Sequence, residues 1–324
     1  MGSHPERADR RLWILNLDAE QELAALAKRR SLGRRDLESI RPQPTDATRA
    51  RVRRWAPLAA QRLVGGDDLV CIDGELFDAS GERRSPDEAA GRTAHAWSPT
   101  PGARWTAESV GATLAPSPPL ESILAANARP FTAALAQEES VQVRKALAPD
   151  LETARALLAR PAPNGWLARG PYGMAGSARK RLHPGRPSDP ERHWLTRQLQ
   201  LGPLVIEPWV EIVAETTRCA WLRPDGSLSI AAPGFQSVDR FGQWQTTDAA
   251  APSEIHSTDD QRLLAALERA GRALRDVGYW GPFGIDAFWH RDLETSARAV
   301  LQPLSEINAR YTMDWNRATA DEVG

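Results

Sequence analysis

Lysine is nearly missing from this sequence. Only Lys28, Lys145 and Lys180 occur in 324 residues, so 38 of the 41 basic residues are arginines. Charge of one sign is lacking too, since 42 acidic residues leave a balance of −1. A chain built to hold nucleic acid needs a net basic face and aromatics interleaved with basic residues, and neither is present. Cysteine is scarce. Cys71 and Cys219 lie far apart and match no CxxC spacing, which fits two small buried side chains in a reducing cytosol better than a disulfide or a zinc site. No apolar run approaches the roughly 18 residues of a membrane helix. Met1-Gly2-Ser3-His4-Pro5 lacks the apolar core of a secretory signal. The expected location is therefore the cytoplasm, with no membrane or nucleic-acid partner. Several nucleotide and hydrolase signatures are also absent: G-x-x-x-x-G-K-S/T, G-x-G-x-x-G after the first strand, H-E-x-x-H and G-x-S-x-G. What is present is an ordinary globular composition, 41% hydrophobic, at a length that suits about two domains.

The opening segment has α/β character. Residues 12–17 form an apolar run of strand length, followed by Asp18 and a helical pattern (Leu23, Leu26, Ala27) ending near Gly33. A second strand, at 68–73, follows the Gly65-Gly66-Asp67 turn, and residues 74–77 return from it. Between them, Arg49 to Arg54 recur at helical spacing, as a solvated helix face does. Residues 98–119 carry Pro99, Pro101, Gly102, Gly111, Pro116, Pro118 and Pro119, which predicts a connection between units or a loop over a site. A helix is expected from about 120 to 135, kinked or divided at Pro130, and another from about 149 to 159. Then come a strand at 165–169, a polar helix at 191–199 and a strand at 204–207. Thr258-Asp-Asp-Gln261 has the capping-box pattern, with Thr258 as N-cap. It opens a helix with Leu263, Leu264, Leu267, Leu274 and Val277 on one stripe, closed by Gly278. Strands at 283–288 and 304–308 follow, joined by about fifteen mostly polar residues.

Three constellations carry candidate chemistry. In Glu306-Ile-Asn308-Ala-Arg310 the polar residues occupy every second position, so their side chains leave one face of a strand. A hairpin would bring Asp286, set between apolar neighbours, beside Glu306 and Asn308. Two carboxylates and an amide oxygen suit Mg²⁺, and Arg310 would offer a fixed cation to an anionic substrate. The plainer alternative is a strand with its polar face in water. The second constellation runs from Arg169 through Gly173, Gly176 and Ser177 to Arg179 and Lys180. Such a loop turns backbone N–H groups and cations toward a phosphate, or is simply a hairpin loop. In the third, Pro208 interrupts the apolar strand Val205-Ile-Glu207-Pro-Trp209-Val210. Its free backbone groups can bond a flat heterocycle walled by Trp209, with Glu215 in reach of ribose hydroxyls. The alternative is an edge strand with a packed tryptophan. Residues 233–244 and the Pro-rich 98–119 segment are candidate recognition loops.

Taken in order, these segments resemble the ATP-grasp superfamily over roughly residues 120 to 317. The resemblance implies a mixed α/β and α+β fold. A Rossmann-like pre-ATP-grasp domain would span 1–119, and a two-lobed ATP-grasp domain would follow. Its small lobe and linking helices would cover 120–206 and its C-terminal lobe 207–324. Lys145 then stands as the first ATP-contacting lysine, and Arg169 where the family usually has a lysine on the α- and β-phosphates. Gly173, Gly176 and Ser177 belong to the loop that closes over the phosphates. Glu207, Trp209 and Val210 match the hinge whose backbone reads adenine, and Glu215 the carboxylate on the ribose. Asp286, Glu306 and Asn308 correspond to the Mg²⁺ ligands, while Arg310 and Arg169 are the catalytic cations.

The implied activity is an ATP- and Mg²⁺-dependent, ADP-forming ligation of a carboxylate to an amine through an acyl-phosphate, on amino-acid or peptide-like substrates. Two Mg²⁺ ions fall within the expectation, with Mn²⁺ as a substitute, and so does a homodimer. The alternatives are a small-molecule phosphotransferase on the same ATP site and an inactive nucleotide-binding protein. Three departures from the family pattern stand out. Arginine replaces lysine at 169, the interval from Asp286 to Glu306 is long enough for an extended hairpin, and Gly284 stands where some ligases carry arginine.

Overall fold

The computed structural model describes residues 10–34, 44–136, 144–173, 178–239, 244–249, 255–291 and 299–315. The chain opens with β1 (Arg11–Ile14), α1 (Ala19–Ser31), α2 (Asp46–Leu63), β2 (Leu69–Ile72), β3 (Glu75–Asp78), β4 (Arg83–Arg84), β5 (Thr93–Ala96), α3 (Pro101–Ser109) and β6 (Thr113–Leu114). It continues with α4 (Leu120–Ala126), α5 (Arg129–Ala136), β7 (Ala146–Ala148), α6 (Leu151–Leu158), β8 (Trp166–Arg169), β9 (Arg179–Leu182), α7 (Asp189–Leu199) and β10 (Leu204–Pro208). The last elements are β11 (Glu211–Leu222), β12 (Leu228–Ile230), β13 (Gly234–Val238), β14 (Trp244–Ala249), α8 (Ser257–Asp276), β15 (Gly281–Arg291) and β16 (Ala299–Asn308). Among the described residues no helix is long and apolar enough to cross a membrane.

Two compact units result. The first comprises the described parts of Met1–Ala19, Glu38–Ser117 and Trp315–Gly324, the second those of Glu20–Leu37 and Pro118–Asp314. The first unit holds a sheet of order β4-β3-β2-β1-β5-β6. Strand β1 pairs in parallel with β2 and β5, and β5 in parallel with β6. Buried on both faces, β1 is a continuous apolar run rather than an alternating one. Asp73 and Gly74, both at positive φ, make the two-residue turn that returns β2 into antiparallel β3. Cys71 is a buried free thiol of this core, as Cys219 is in the second unit.

The 98–119 segment is not a bare connection, contrary to the reading of its prolines. Thr100 caps α3 by accepting from the Ala103 N–H at 3.4 Å, and Pro101 sits at the first helical position, where a missing N–H costs nothing. Pro130 does divide its helix, standing second in α5 after a break at residues 127–128. At α8 the N-cap is His256 rather than Thr258. The His256 Nδ1 accepts from the Thr258 N–H at 3.3 Å, and the helix starts at Ser257. The described ends of the polar link expected after residue 288 are strand: pairing continues through Phe288↔Gln302, Trp289↔Leu301, His290↔Val300 and Arg291↔Ala299. Of residues 233–244, expected as a recognition loop, 234–238 form strand β13, which pairs antiparallel with β14, whose first residue is Trp244.

The second unit contains two antiparallel sheets, β7-β10-β8-β9 and β14-β13-β11-β15-β16, with β12 paired to β11. Helix α8 buries Leu263, Ala266, Leu267, Ala270 and Leu274, a helical stripe, and joins a core with Ala220, Phe283, Ile285, Leu304 and Ile307. Leu23 and Leu26 of α1 lie in that same core. The smaller sheet has its own core, in which Ala168 and Ile206 meet Leu158 and Leu195. The antiparallel β15–β16 pair positions the candidate site.

Candidate functional site

Asp286 of β15 and Glu306 of β16 are directly paired, and Asn308 is paired with Gly284. Opposed residues in an antiparallel ladder share a face, so Asp286, Glu306 and Asn308 project together. The Asn308 Nδ2 donates to Asp286 Oδ2 at 2.9 Å. Arg310 lies just past the strand and donates to Asn308 Oδ1 at 3.0 Å. Its guanidinium also reaches the Tyr311 carbonyl at 3.1 Å and Glu20 Oε1 at 2.5 Å.

The smaller sheet supplies the opposing cations. Arg169, at the end of β8, pairs with Glu306 Oε2 and lies 3.6 Å from Glu207 Oε1 of β10. Lys145 enters just before β7 and is 5% exposed. Its Nζ donates to the Ser305 carbonyl at 2.6 Å and the Leu304 carbonyl at 3.3 Å. Those carbonyls are available because the β15–β16 register shifts there. Residues 303–305 oppose Ala287 alone, and Pro303 has no N–H to give.

The charges polarise the cluster. Burial pushes the Glu306 carboxyl up, but Arg129, Arg169, Arg310 and Lys145 outweigh it and hold the group down at about 2. Asp286 moves the other way, to about 8, raised by burial and by Asp314 and Glu306 against the lowering bond from Asn308. Lys145 is lowered to about 8, chiefly by burial. Burial disfavours the Arg169 cation, yet Glu306 and Glu207 hold its pKa above the ordinary arginine value.

The remaining expected residues lie around this centre. Trp209 and Val210 sit between β10 and β11; the Trp209 N–H donates to the Gly165 carbonyl at 2.9 Å, and Arg181 stacks 4.6 Å over its ring. Strand β10 is central in its sheet, between β7 and β8, rather than an edge. Glu215 is half-buried on β11, its carboxyl raised by burial and opposed by Arg179. The Gly173 carbonyl accepts from Arg129. Gly176 and Ser177 lie outside the described residues. Thus Lys145, Arg169, Glu207, Asp286, Glu306, Asn308 and Arg310 form one connected network, and the Glu215 charge reaches Asp286. Among the described residues no hydrogen bond or ion pair joins Trp209 or Val210 to it.

Four further residues belong to it that the sequence did not single out. Arg129 lies 3.0 Å from Glu306 Oε1, and Glu20 holds Arg310. Gln236 of β13 reaches Asp286 Oδ1 at 3.4 Å and Asp314 Oδ2 at 3.1 Å. Asp314 also accepts from Thr312 at 3.1 Å and from Thr247. Gln236 falls in the 233–244 segment that the sequence marks only as a candidate recognition loop. In a chain so rich in arginine, nothing marked Arg129.

Whether these donors suit a metal follows from their chemistry. Among the described residues no three His, Cys, Asp or Glu side chains gather into a cage. Two facing carboxylates and an amide oxygen are hard ligands, and they fit Mg²⁺, which takes one or two carboxylates and fills the rest of its octahedron with water and phosphate. They do not suit a thiophilic or imidazole-seeking ion.

No protein-family model matches this chain, and no curated protein matches it. Solved structures do. An N5-carboxyaminoimidazole ribonucleotide synthetase in complex with ADP is 11% identical, with a TM-score of 0.50 covering 94% of this chain and 71% of that one. Biotin carboxylase from Campylobacter jejuni, in a β-γ-ATP complex, is 12% identical, with a TM-score of 0.51 over 97% of this chain and 68% of that one. Pyruvate carboxylase from Rhizobium etli, with acetyl coenzyme A, is 13% identical, at a TM-score of 0.50 over 97% of this chain and 27% of that one. All three are ATP-grasp enzymes, and the fold of this chain is that of the ATP-grasp superfamily.

Proposed function

We propose that this protein is an ATP- and Mg²⁺-dependent, ADP-forming ligase that joins a carboxylate to an amine through an acyl-phosphate. The observation carrying this reading is the meeting of Arg169, Glu306, Asp286, Asn308 and Lys145 on one buried face. Cations from one sheet there confront paired oxygen ligands from the other, as a nucleotide with its metal requires. Asp286, Glu306 and Asn308 would hold the Mg²⁺. When bound, that ion would neutralise charge developing on the β- and γ-phosphates.

The chain's own residues do the positioning. Arg169 presents a planar fork to phosphate oxygens, where a lysine would present a point charge. Lys145, Glu207 and the Trp209–Val210 backbone would line the nucleotide, with Trp209 held by Arg181 and Glu215 toward the ribose. Arg310, fixed by Glu20 and Asn308, orients the metal-facing amide and adds positive potential where the carboxylate attacks the γ-phosphorus. Attack breaks the γ-phosphorus bond to ADP and forms the acyl-phosphate. An amine then displaces phosphate to form the amide. The first unit, with its parallel β2-β1-β5-β6 core, is read as the Rossmann-like domain that precedes the ATP-grasp lobes.

A screen of amino acids and short peptides with ATP and Mg²⁺, read by phosphate release, tests the proposal. Release that needs an acid and an amine together is expected. Transfer to a single acceptor without free phosphate would replace ligation by phosphotransfer. Nucleotide-dependent thermal stabilisation with no turnover on any pair would leave a binding protein.

A further inference from the structure

Both oxygens of Glu306 are taken by arginines, and the two arginines are held very differently. Arg129 is 7% exposed, and its Nε lies 3.0 Å from Oε1. Its backbone N–H donates to the Pro171 carbonyl at 2.8 Å, its Nη1 to the Gly170 carbonyl at 2.9 Å, and its Nη2 to the Gly173 carbonyl. One side chain thus ties Glu306 to the backbone that follows β8. Arg169 takes Oε2. Its other ion pair, to Glu207, is stretched to 3.6 Å, beyond hydrogen-bond length.

Resting on the nucleotide reading above, we infer that Glu306 is an exchange carboxylate between a fixed arginine and a movable one. Arg129 is a positioning residue that keeps Oε1 in register with the 170–173 backbone. Arg169 is the partner that nucleotide phosphates draw away, which opens Oε2 to a divalent cation. A guanidinium and a divalent ion cannot share one oxygen without close like-charge repulsion. Phosphate oxygens offer the guanidinium fork a bidentate partner of higher charge than a single carboxylate does. Without nucleotide, an entering ion meets a carboxylate already neutralised twice. Ion and nucleotide therefore favour each other, and by linkage each raises the other's affinity by the same factor. Arginine at 169 strengthens the exchange, since a lysine would hold Glu306 through one donor direction at a time.

The test uses the full chain, Mn²⁺ and ADP. Mn²⁺ binding without nucleotide is followed by loss of its EPR signal. ADP affinity is measured by calorimetry with Mn²⁺ present and with the metal chelated. In the wild type, Mn²⁺ should bind weakly alone and raise ADP affinity about tenfold or more. Arg169→Gln should bind Mn²⁺ without nucleotide about tenfold more tightly than wild type, with the coupling to ADP reduced. Arg218→Gln removes the same charge from a side chain that pairs with Asp260 and the Ala231 carbonyl, outside this cluster, and should change nucleotide-free Mn²⁺ affinity less than about twofold. Arg129→Lys keeps the charge and loses the fork; circular dichroism should stay native while the Mn²⁺–ADP coupling falls. Equal gains from Arg169→Gln and Arg218→Gln would overturn the exchange, leaving only bulk charge. So would a wild type that binds Mn²⁺ equally well with and without ADP. A wild type that binds neither ADP nor Mn²⁺ fails earlier, because it removes the nucleotide reading itself.

Discussion

Asp286 and Glu306 face each other across one ladder, and their carboxyls are driven to opposite protonation states. Glu306 looks toward Arg129 and Arg169, whereas Asp286 looks toward Asp314 through the Gln236 amide. The cluster is thus split into a carboxylate already charged and a second one that holds its proton. Pairing alone would have raised both groups. The placement of the cations on one side decides the difference.

That split gives a pH signature. The Asp286 carboxyl has an ordinary pKa of 3.8 and about 8 in the folded chain, so between those values the native state holds a proton the unfolded chain has lost. Its stabilising contribution is complete below 3.8 and disappears as pH rises through about 8. Glu306, held at about 2, affects stability only below its ordinary 4.5. Lys145, at about 8 against 10.5, acts only above that window. Urea midpoints should therefore fall between about pH 5 and pH 8, and Asp286→Asn should flatten that fall. An unchanged slope in the variant would assign the effect to another group.

Removing Glu306 has two separable consequences. Glu306→Ala leaves Arg129 and Arg169 as buried cations without their shared carboxylate, which should lower the unfolding free energy by about 3 kcal/mol or more. Glu306→Gln keeps the shape and one acceptor, so it should cost less. Both should abolish Mg²⁺-dependent ATP turnover. Denaturant titration and phosphate release report the two effects independently, and a fully active variant would remove the metal assignment.

The cap of α8 provides a cheap contrast. His256→Ala removes the nitrogen that accepts from the Thr258 N–H and should cost about 0.5 to 1 kcal/mol. Thr258→Ala, at the position the capping-box pattern favours, should stay within about 0.5 kcal/mol of wild type. The reverse order in thermal melts would return the cap to Thr258.

What could be read from the sequence followed from local periodicity. The alternation Glu306-x-Asn308, the α8 stripe and the division at Pro130 are period or proline signals that appear in the structure, whereas Arg310, expected on the same strand face, lies past the end of β16. Asp286 could be placed because apolar neighbours on both sides mark a buried strand. Arg129, Glu20, Gln236 and Asp314 could not, because their roles depend on partners distant in the chain. Proline misled at 98–119, where Pro101 starts a helix instead of breaking one. Histidine capping was missed at 256 because the acceptor is a ring nitrogen, outside the usual Ser, Thr, Asp and Asn set.

Gly284 stands where the ATP-grasp resemblance would allow an arginine, and the space around it can be tested. It sits in the ladder between Cys219 and Asn308, with no left-handed backbone to demand glycine. A Cβ there would lie 3.3 Å from Thr312 Cγ2 and 3.5 Å from Cys219 Sγ. Thr312 cannot yield freely, since its hydroxyl donates to Asp314 at 3.1 Å and accepts from the Asp314 N–H at 3.3 Å. Gly284→Ala should therefore cost about 1 kcal/mol by overpacking, and Gly284→Arg should cost more. Pairing Gly284→Ala with Thr312→Ser deletes the crowding methyl, keeps the hydroxyl, and should restore most of the lost stability. Urea denaturation of the single and double variants decides it. An alanine variant as stable as wild type, or a pair no better than the single change, would show that the Thr312 methyl does not crowd this position.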